Sequence, residues 1–299
     1  MEKTYALEGQ SRFAAKVSDY SQFIKLRLSL LVVFSAAVGY LLGLRGSLDW
    51  NILTLVLIGG TLVTASSNGF NQVMERDTDK LMNRTSARPV PGGRMSISEG
   101  IISSLIMGAA GILLLWIFVN PLSGFLSLMS LLLYTLAYTP LKKSSPLAVF
   151  VGAIPGAMPP LIGWVAATGS VEPAAIALYA LQFIWQFPHF WALAWVLDED
   201  YKRAGFKMLP SPDGKGRRSA FQTLVYSLSL IPLSLLPQYF GVGNTVSTCI
   251  LVACGMYFSF QAMQLYRTCS DQAATRLMFG SFFYLPLAQI ALLIGKTFS

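Results

Sequence analysis

The chain has 299 residues, of which 54% are hydrophobic and only 12% are charged, and its mean hydropathy is +0.56. A soluble domain carries about 25% charged residues, so this composition excludes a soluble enzyme and predicts an all-α, polytopic membrane protein. The formal net charge of +8 does not indicate nucleic-acid binding, because the basic residues follow the pattern of a membrane topology signal.

Nine apolar segments are long enough to cross about 30 Å of hydrocarbon as helices. We expect residues 1–20 to form a cytoplasmic N-terminal segment and residues 21–299 to form a single intramembrane domain, with a central cavity open to the cytoplasm. The predicted spans are 26–44, 51–73, 97–118, 121–138, 146–166, 172–197, 219–238, 243–265 and 277–296.

The basic residues orient these spans. Of the 22 lysines and arginines, all except Arg45 and Lys296 lie before or at the very start of the first span, or follow an even-numbered one. By the positive-inside rule, the N-terminus and the two long polar loops are predicted to be cytoplasmic and the C-terminus periplasmic. The expected location is a bacterial inner membrane.

The second span ends in a row of oxygen-bearing side chains, here called the acidic ridge: Asn71, Glu75 and Asp79. Their i, i+4, i+8 spacing places all three on one face of a helix, about 6 Å apart. Arg84 and Arg88 follow at once. Because Mg²⁺ is usually held by a few carboxylates together with substrate phosphates, the pattern predicts a magnesium and diphosphate site.

A second acidic patch, which contains Asp198, Glu199 and Asp200, follows the sixth span on the same predicted side. Carboxylates near membrane depth are functional by default. We expect the two patches to face one another across the bundle, with Asp198 and Asp200 sharing the metal. The alternative is that these acids, like Asp77 in the first patch, only pair with neighbouring lysines and arginines.

The fourth span ends with Tyr138 and Lys142, spaced i, i+4, around Pro140, which should bend the chain. Lys142, with Lys143 beside it, would clamp a phosphate oxygen. The alternative is a positive-inside anchor with an interfacial tyrosine.

The sixth span contains the single histidine of the chain, His189, in an aromatic segment that includes Trp191. A histidine in an apolar span is more often a hydrogen-bonded structural group than a ligand, and both interpretations stay open. The aromatic side chains suit a lipid-facing wall, a flat aromatic substrate, or a carbocation sheltered by cation–π contact.

These motifs resemble those of the intramembrane prenyltransferases of the UbiA superfamily. Segments 156–164, 188–194 and 200–210 resemble one branch, the protohaem IX farnesyltransferases. The chain departs from the family near the first span, where it has Lys25-Leu26-Arg27 in place of Lys-Pro-Arg, and at Glu75, where many relatives have Asp. The superfamily motifs are Asn71-x-x-x-Glu75-x-x-x-Asp79, Met82-x-Arg84-Thr85-x-x-Arg88-Pro89, Tyr138-Thr139-x-x-Lys142, and Asp198 with Asp200.

The resemblance implies farnesyl diphosphate as donor, protohaem IX as acceptor and Mg²⁺ as cofactor. It implies a haem A synthase or a terminal oxidase subunit as the protein that receives the product. It assigns the metal to Asn71, Glu75, Asp79, Asp198 and Asp200, the diphosphate to Arg84, Arg88, Tyr138, Lys142 and Lys143, and the haem to His189 and Trp191.

Two other functions stay open. A UbiA-type enzyme could prenylate another aromatic acceptor such as a quinone precursor, although a small acceptor needs no wide aromatic cavity. A secondary transporter would place charges near the membrane midplane and show inverted repeats, whereas these acids cluster at one face.

Overall fold

The computed structural model describes the backbone of residues 2–296 and the side chains of residues 13–296. Over this part of the chain the structure consists of helices and contains no strand, which confirms the all-α class. The helices are α1 (Glu2–Phe23), α2 (Leu26–Gly43), α3 (Trp50–Met74), α4 (Arg76–Asp79), α5 (Ile97–Phe118), α6 (Pro121–Leu132), a π-helical segment (Leu133–Tyr138), α7 (Thr139–Ser144), α8 (Ala148–Thr168), α9 (Pro173–Val196), α10 (Asp198–Arg203), α11 (Arg217–Leu233), α12 (Leu236–Tyr239), α13 (Thr245–Thr268) and α14 (Asp271–Gly295).

Eight helical units in the described chain have the length and apolar composition needed to cross a membrane. They coincide with eight of the nine predicted spans, with ends that differ by six residues at most. The other predicted span coincides with α9, which has 24 residues but carries Gln182, Gln186 and His189. The multi-pass helical architecture is therefore confirmed, whereas the count of nine is not.

Polar side chains at the helix N-termini fix where several helices begin. Each of these caps accepts a hydrogen bond from a backbone N–H of the first turn, a group that has no partner within the helix. The caps are Asp49, Ser96, Asn120, Asn244 and Ser270.

Glycines bring α2 and α8 into backbone contact at the centre of the bundle. A Cβ atom added at Gly39 would lie 2.0 Å from Pro160 O, and one added at Gly163 would lie 1.9 Å from Ala36 O. Small residues commonly allow such close approach between membrane helices. The position of α8, which lines the apolar cavity described below, thus depends on these two glycines.

Buried amides connect the proline-containing α8 to its neighbours. Pro160 has no N–H, so Gly156 O loses its helical donor. Gln182 Nε2 of α9 donates to this oxygen at 2.9 Å. Gln289 Nε2 of α14 in turn contacts Gln182 Oε1 at 3.2 Å and Ser35 Oγ of α2 at 2.9 Å. Four helices are therefore joined by hydrogen bonds inside the apolar bundle.

Helix α1 packs its C-terminal half against α5 and the loop that precedes it. Phe23 is fully buried, Lys16 Nζ lies 2.7 Å from Glu99 Oε1, and Arg94 Nε lies 2.7 Å from Asp19 Oδ1. These contacts hold the start of α2 close to the loop between α4 and α5.

We predict that Gly163→Ala lowers the stability of the folded protein, because its new methyl group would force α2 and α8 apart. Overpacking of this kind costs about 1–3 kcal/mol, which corresponds to a melting temperature lower by about 3–10 °C. The control is Gly60→Ala, whose Cβ would meet its nearest neighbour at an ordinary 3.6 Å. Thermal melting in detergent measures both, and equal melting temperatures would contradict the proposed role of the close contact.

Candidate active site

A polar cavity of about 170 Å³ opens at the end of the bundle that carries the long polar loops. It is bounded by the end of α3, the α4 region, the π-helical segment with α7, and the chain around α10. Seven of the predicted site residues line it, namely Asn71, Glu75, Asp79, Arg84, Arg88, Tyr138 and Lys142.

The acidic ridge crosses an interruption between two helices. Helix α3 ends at Met74, Glu75 has φ −96° and ψ 8°, and α4 begins at Arg76. The Glu75 N–H still donates to Asn71 O at 2.9 Å, and the Asp79 N–H to Glu75 O at 2.7 Å. The i, i+4 register therefore survives the interruption, and all three side chains of the ridge reach one cavity.

Each carboxylate of the ridge is buried against a cation. Glu75 Oε1 lies 2.9 Å from Lys142 Nζ, and Asp79 Oδ2 lies 2.7 Å from Arg88 Nη1. Burial of these charges is tolerated because they are paired. The second oxygen of Asp79, Oδ1, is buried without a hydrogen-bond partner among residues 13–296. This oxygen, a second carboxylate and the Asn71 amide form a donor set of the kind that Mg²⁺ accepts.

Lys25 is a cavity residue that the sequence analysis did not assign to the site. It joins α1 to α2 with φ +50°, and its Nζ donates to Asn71 Oδ1 at 3.3 Å. Burial, reinforced by the charges of Arg88 and Lys142, lowers the pKa of Lys25 to about 7. The sequence signal was a basic residue beside the first span, which the positive-inside rule also explains.

The cavity lining contains more basic than acidic side chains. Lys25, Arg84, Arg88 and Lys142 face only two carboxylates. Within residues 13–296, Arg84 differs from Arg88 and Lys142 in that it makes no ion pair. A cationic surplus of this kind favours a multiply charged anion, and Arg84 is free to bind it.

The π-helical segment directs Tyr138 and Lys142 into the cavity. The Thr139 N–H donates to Tyr134 O, five residues back, just before Pro140. Lys142 Nζ then lies 4.6 Å from the centroid of the Tyr138 ring. The bend expected at Pro140 is thus a wide helical turn next to it, a feature frequent at functional sites.

The second acidic patch contacts the loop after the ridge instead of lining the cavity. Asp198 Oδ2 lies 2.7 Å from Lys202 Nζ, and Asp200 pairs with Arg203. Burial acts to raise the pKa of Asp200, but hydrogen bonds from Arg203 and from the backbone N–H groups of Asn83 and Arg84 outweigh it and lower the pKa. The two patches are therefore connected through this loop.

The second patch and the ridge do not form a preassembled carboxylate cluster. Over the described part of the chain, no group of three or more acidic, histidine or cysteine side chains is arranged as a metal site. A metal shared by both patches stays a prediction.

Two other residues of these motifs lie outside the cavity lining. Asp77 is exposed between Arg76 and Lys80, 3.4 Å and 3.8 Å from their side-chain nitrogens, as the salt-bridge interpretation expects. Lys143 is exposed, next to the buried Lys142. Its assignment to the diphosphate stays a prediction.

Neither candidate haem residue lines the polar or the apolar cavity. His189 Nδ1 is 2.7 Å from Ser281 Oγ of α14, and its ring stacks on Trp185 with 4.7 Å between centroids. Trp191 is buried, and its Nε1 has no hydrogen-bond partner among residues 13–296. Phe190, between them in sequence, lines the polar cavity. A contact of His189 or Trp191 with haem stays a prediction.

An apolar cavity adjoins the polar one. Its walls come from α2, α3, α6 and α8, and it shares Leu28 and Tyr134 with the polar cavity. An amphipathic ligand with an anionic head and a hydrocarbon tail would therefore find both environments side by side.

Comparison with known proteins identifies relatives along almost the whole chain. The model of the UbiA prenyltransferase family matches residues 32–285. A protoheme IX farnesyltransferase of Cytophaga hutchinsonii is 48% identical over 285 residues, which are 95% of this chain and 100% of that protein. The protoheme IX farnesyltransferase of Christiangramia forsetii is 40% identical over 95% of both chains.

Solved structures have the same fold at low sequence identity. A structure of digeranylgeranylglyceryl phosphate synthase superposes with a TM-score of 0.79 at 19% identity, covering 94% of this chain and 98% of that one. A UbiA homologue from Archaeoglobus fulgidus, bound to GPP and Mg²⁺, gives 0.71 at 17% identity, covering 92% and 99%. At these identities the likeness establishes the fold.

We predict that Arg84→Gln weakens binding of inorganic diphosphate by about tenfold, because one charge-assisted hydrogen bond is lost. This substitution leaves no carboxylate without its partner, unlike substitution of Arg88 or Lys142. Lys143→Gln removes the same charge outside the cavity, and we expect less than about a twofold effect. Calorimetric titration measures both, and equal losses would remove Arg84 from the proposed site.

Proposed function

We propose that this chain, which belongs to the UbiA prenyltransferase family, transfers the farnesyl group of farnesyl diphosphate to a vinyl group of protohaem IX. The observation that carries the proposal is a cavity in which buried acid–base pairs adjoin an apolar compartment. The names of relatives that are 40–48% identical along the chain support this choice of donor and acceptor. We place the enzyme in a bacterial inner membrane, with the cavity facing the cytoplasm.

The cations of the polar cavity bind the diphosphate in this proposal. Arg84 contacts it directly, and Arg88, Lys142 and Lys25 turn towards it from the acidic ridge. Tyr138 supports Lys142 through its ring, and Lys143 adds positive charge from the surface. Positive groups held in place stabilise the negative charge that develops on the leaving oxygen as the allylic C–O bond breaks.

The acidic ridge would hold Mg²⁺ through Asn71, Glu75 and Asp79. Asp198 and Asp200 would complete the metal site if their ion pairs with Lys202 and Arg203 broke and the two carboxylates bound the metal instead. Bound Mg²⁺ neutralises charge on the diphosphate and thereby makes it a better leaving group. The presence of Mg²⁺ in the related Archaeoglobus fulgidus structure supports a divalent metal here.

The farnesyl chain occupies the apolar cavity, with its reactive carbon near Leu28 and Tyr134. When the C–O bond breaks, its electron pair leaves with the diphosphate. The haem vinyl group then forms a C–C bond to the allylic carbon, water adds to the resulting cation, and one proton is released. The product, haem O, carries a hydroxyethylfarnesyl group, and no protein nucleophile is required.

The haem would contact His189 where α9 packs on α14, and Trp191 where α9 packs on α11. The hydrogen bond to Ser281 involves Nδ1 of His189, and Nε2 makes no hydrogen bond within residues 13–296. This nitrogen would bind the haem iron or a propionate. We further propose that a haem A synthase or a terminal oxidase subunit receives haem O from this site.

We predict that Asp79→Asn lowers haem O formation by about 100-fold, because the isosteric amide keeps a partner for Arg88 but cannot bind the metal as a carboxylate does. Asp77→Asn, two positions away on α4 but exposed, should retain activity. The assay supplies Mg²⁺, farnesyl diphosphate and haem B to purified protein and follows haem O by mass spectrometry.

The same assay tests the acceptor. Prenylation of 4-hydroxybenzoate with no product from haem would replace haem by a quinone precursor. Failure to release diphosphate with either acceptor would contradict the proposed reaction.

We predict that His189→Gln raises the KM for haem by about tenfold and leaves the KM for farnesyl diphosphate unchanged, because one contact to the acceptor is lost. Haem binding without donor, followed through its absorption spectrum, should weaken in parallel. Thermal melting of the variant provides the control for folding. Unchanged haem binding and turnover would assign His189 a structural role.

A further inference from the structure

A second groove, of about 440 Å³, runs along the outside of the bundle between α13 and α14. It shares no lining residue with the polar or the apolar cavity. Tyr257, Phe279 and Phe283 line it and are each more than half exposed. In a membrane this groove faces lipid and lies outside the proposed reaction path.

A buried amide lies within this otherwise aromatic groove. Gln261 is only 8% exposed, and its Oε1 has no hydrogen-bond partner among residues 13–296. Gly280 of α14 leaves room for it, since a Cβ at that position would lie 1.9 Å from Gln261 Oε1. In hydrocarbon, a polar group without a partner is strongly unfavourable. The Nε2 group of the same amide makes no hydrogen bond to residues 13–296, so it would donate to an acceptor of a ligand at this depth.

An arginine stands at the rim of the groove. Arg276 is exposed one helical turn before Gly280, at the end of α14 that lies beside the basic loops. It makes no ion pair with any side chain of residues 13–296, whereas Lys215 and Arg218 in the neighbouring loop region both do. The rim therefore offers a cation to an external anion.

The chemistry of the groove lining changes along α14 about every 6 Å, which is the rise of four helical residues. First comes the cation of Arg276, then the amide of Gln261 opposite Gly280, and finally the apolar surface of Phe283 and Leu287. A phospholipid has the same order of phosphate, ester carbonyl groups and acyl chain.

We propose that this groove binds an anionic phospholipid of the leaflet next to the basic loops. Its phosphate pairs with Arg276, an ester carbonyl accepts a hydrogen bond from Gln261 Nε2, and one acyl chain lies along Phe283 and Leu287. Charge complementarity selects the headgroup, because each basic side chain near such a surface attracts anionic lipid. The proposal does not depend on the identity of the substrates.

The test uses the full-length protein in phosphatidylcholine nanodiscs that contain a little phosphatidylglycerol with a photoreactive group in its acyl chain. After irradiation, mass spectrometry locates the labelled peptides. We expect label to concentrate on 254–261 and 276–287. Arg276→Gln should reduce it about fivefold, the factor that one arginine contributes at an anionic surface.

Two further variants make the result specific. Arg267→Gln removes a cation from the last turn of α13, outside the groove lining, and should leave the labelling within about twofold of the unsubstituted protein. Gln261→Leu keeps the size of the side chain but removes the amide, and should also reduce labelling. Added phosphatidylglycerol should raise the melting temperature of the unsubstituted protein and of the Arg267→Gln control. It should not raise the melting temperature of the Arg276→Gln or Gln261→Leu protein.

Three results would overturn the proposal. Equal labelling of the Arg276→Gln and Arg267→Gln proteins would exclude a headgroup contact. Loss of label on adding farnesyl diphosphate at equal concentration would assign the groove to the prenyl donor. Cross-links between α13 and α14 of two copies would make the groove a contact between protein molecules.

Discussion

The pairing of buried charges across different parts of the chain is the constraint on which the candidate site depends. Glu75 and Asp79 are buried in a membrane bundle, and each has a cationic partner within 3 Å, Lys142 and Arg88 respectively. In the proposed function these partners are exchanged when ligands bind. The diphosphate attracts the cations and the metal attracts the carboxylates, so charges stay compensated at each stage and the bundle need not expose them to lipid.

Local departures from regular helix geometry bring these charges together. The interruption at Glu75 ends a long apolar helix where its carboxylate reaches the cavity. The left-handed conformation of Lys25 turns its amine inward at the start of α2, and the π-helical segment does the same for Lys142. A regular helix leaving the bundle would carry such side chains around its axis towards lipid. The irregular turns therefore select which face of each helix end becomes part of the site.

The sequence contains enough information to predict the elements of this site but not their final contacts. Hydropathy identifies the spans because it is summed over many residues. The acidic ridge is recognisable because the spacing of its three residues lies within one short segment. The inward direction of Lys25 depends on a single backbone angle and could not be read from its charge. Likewise, the sequence does not indicate in which direction the acidic side chains of the second patch point. Only the tertiary structure shows that Asp200 accepts hydrogen bonds from the loop at Asn83 and Arg84.

The proposed reaction must first exclude water and then admit it. Both requirements apply at the boundary between the two cavities. An allylic cation must survive until the haem vinyl group reaches it, yet water must then add to the product cation. Leu28 and Tyr134 belong to both cavities, and the Tyr134 ring lies 5.0 Å from that of Tyr138. Aromatic faces stabilise a nearby cation without acting as nucleophiles. In the proposed reaction the apolar cavity keeps water away from the farnesyl chain, and water reaches the product cation through the polar cavity.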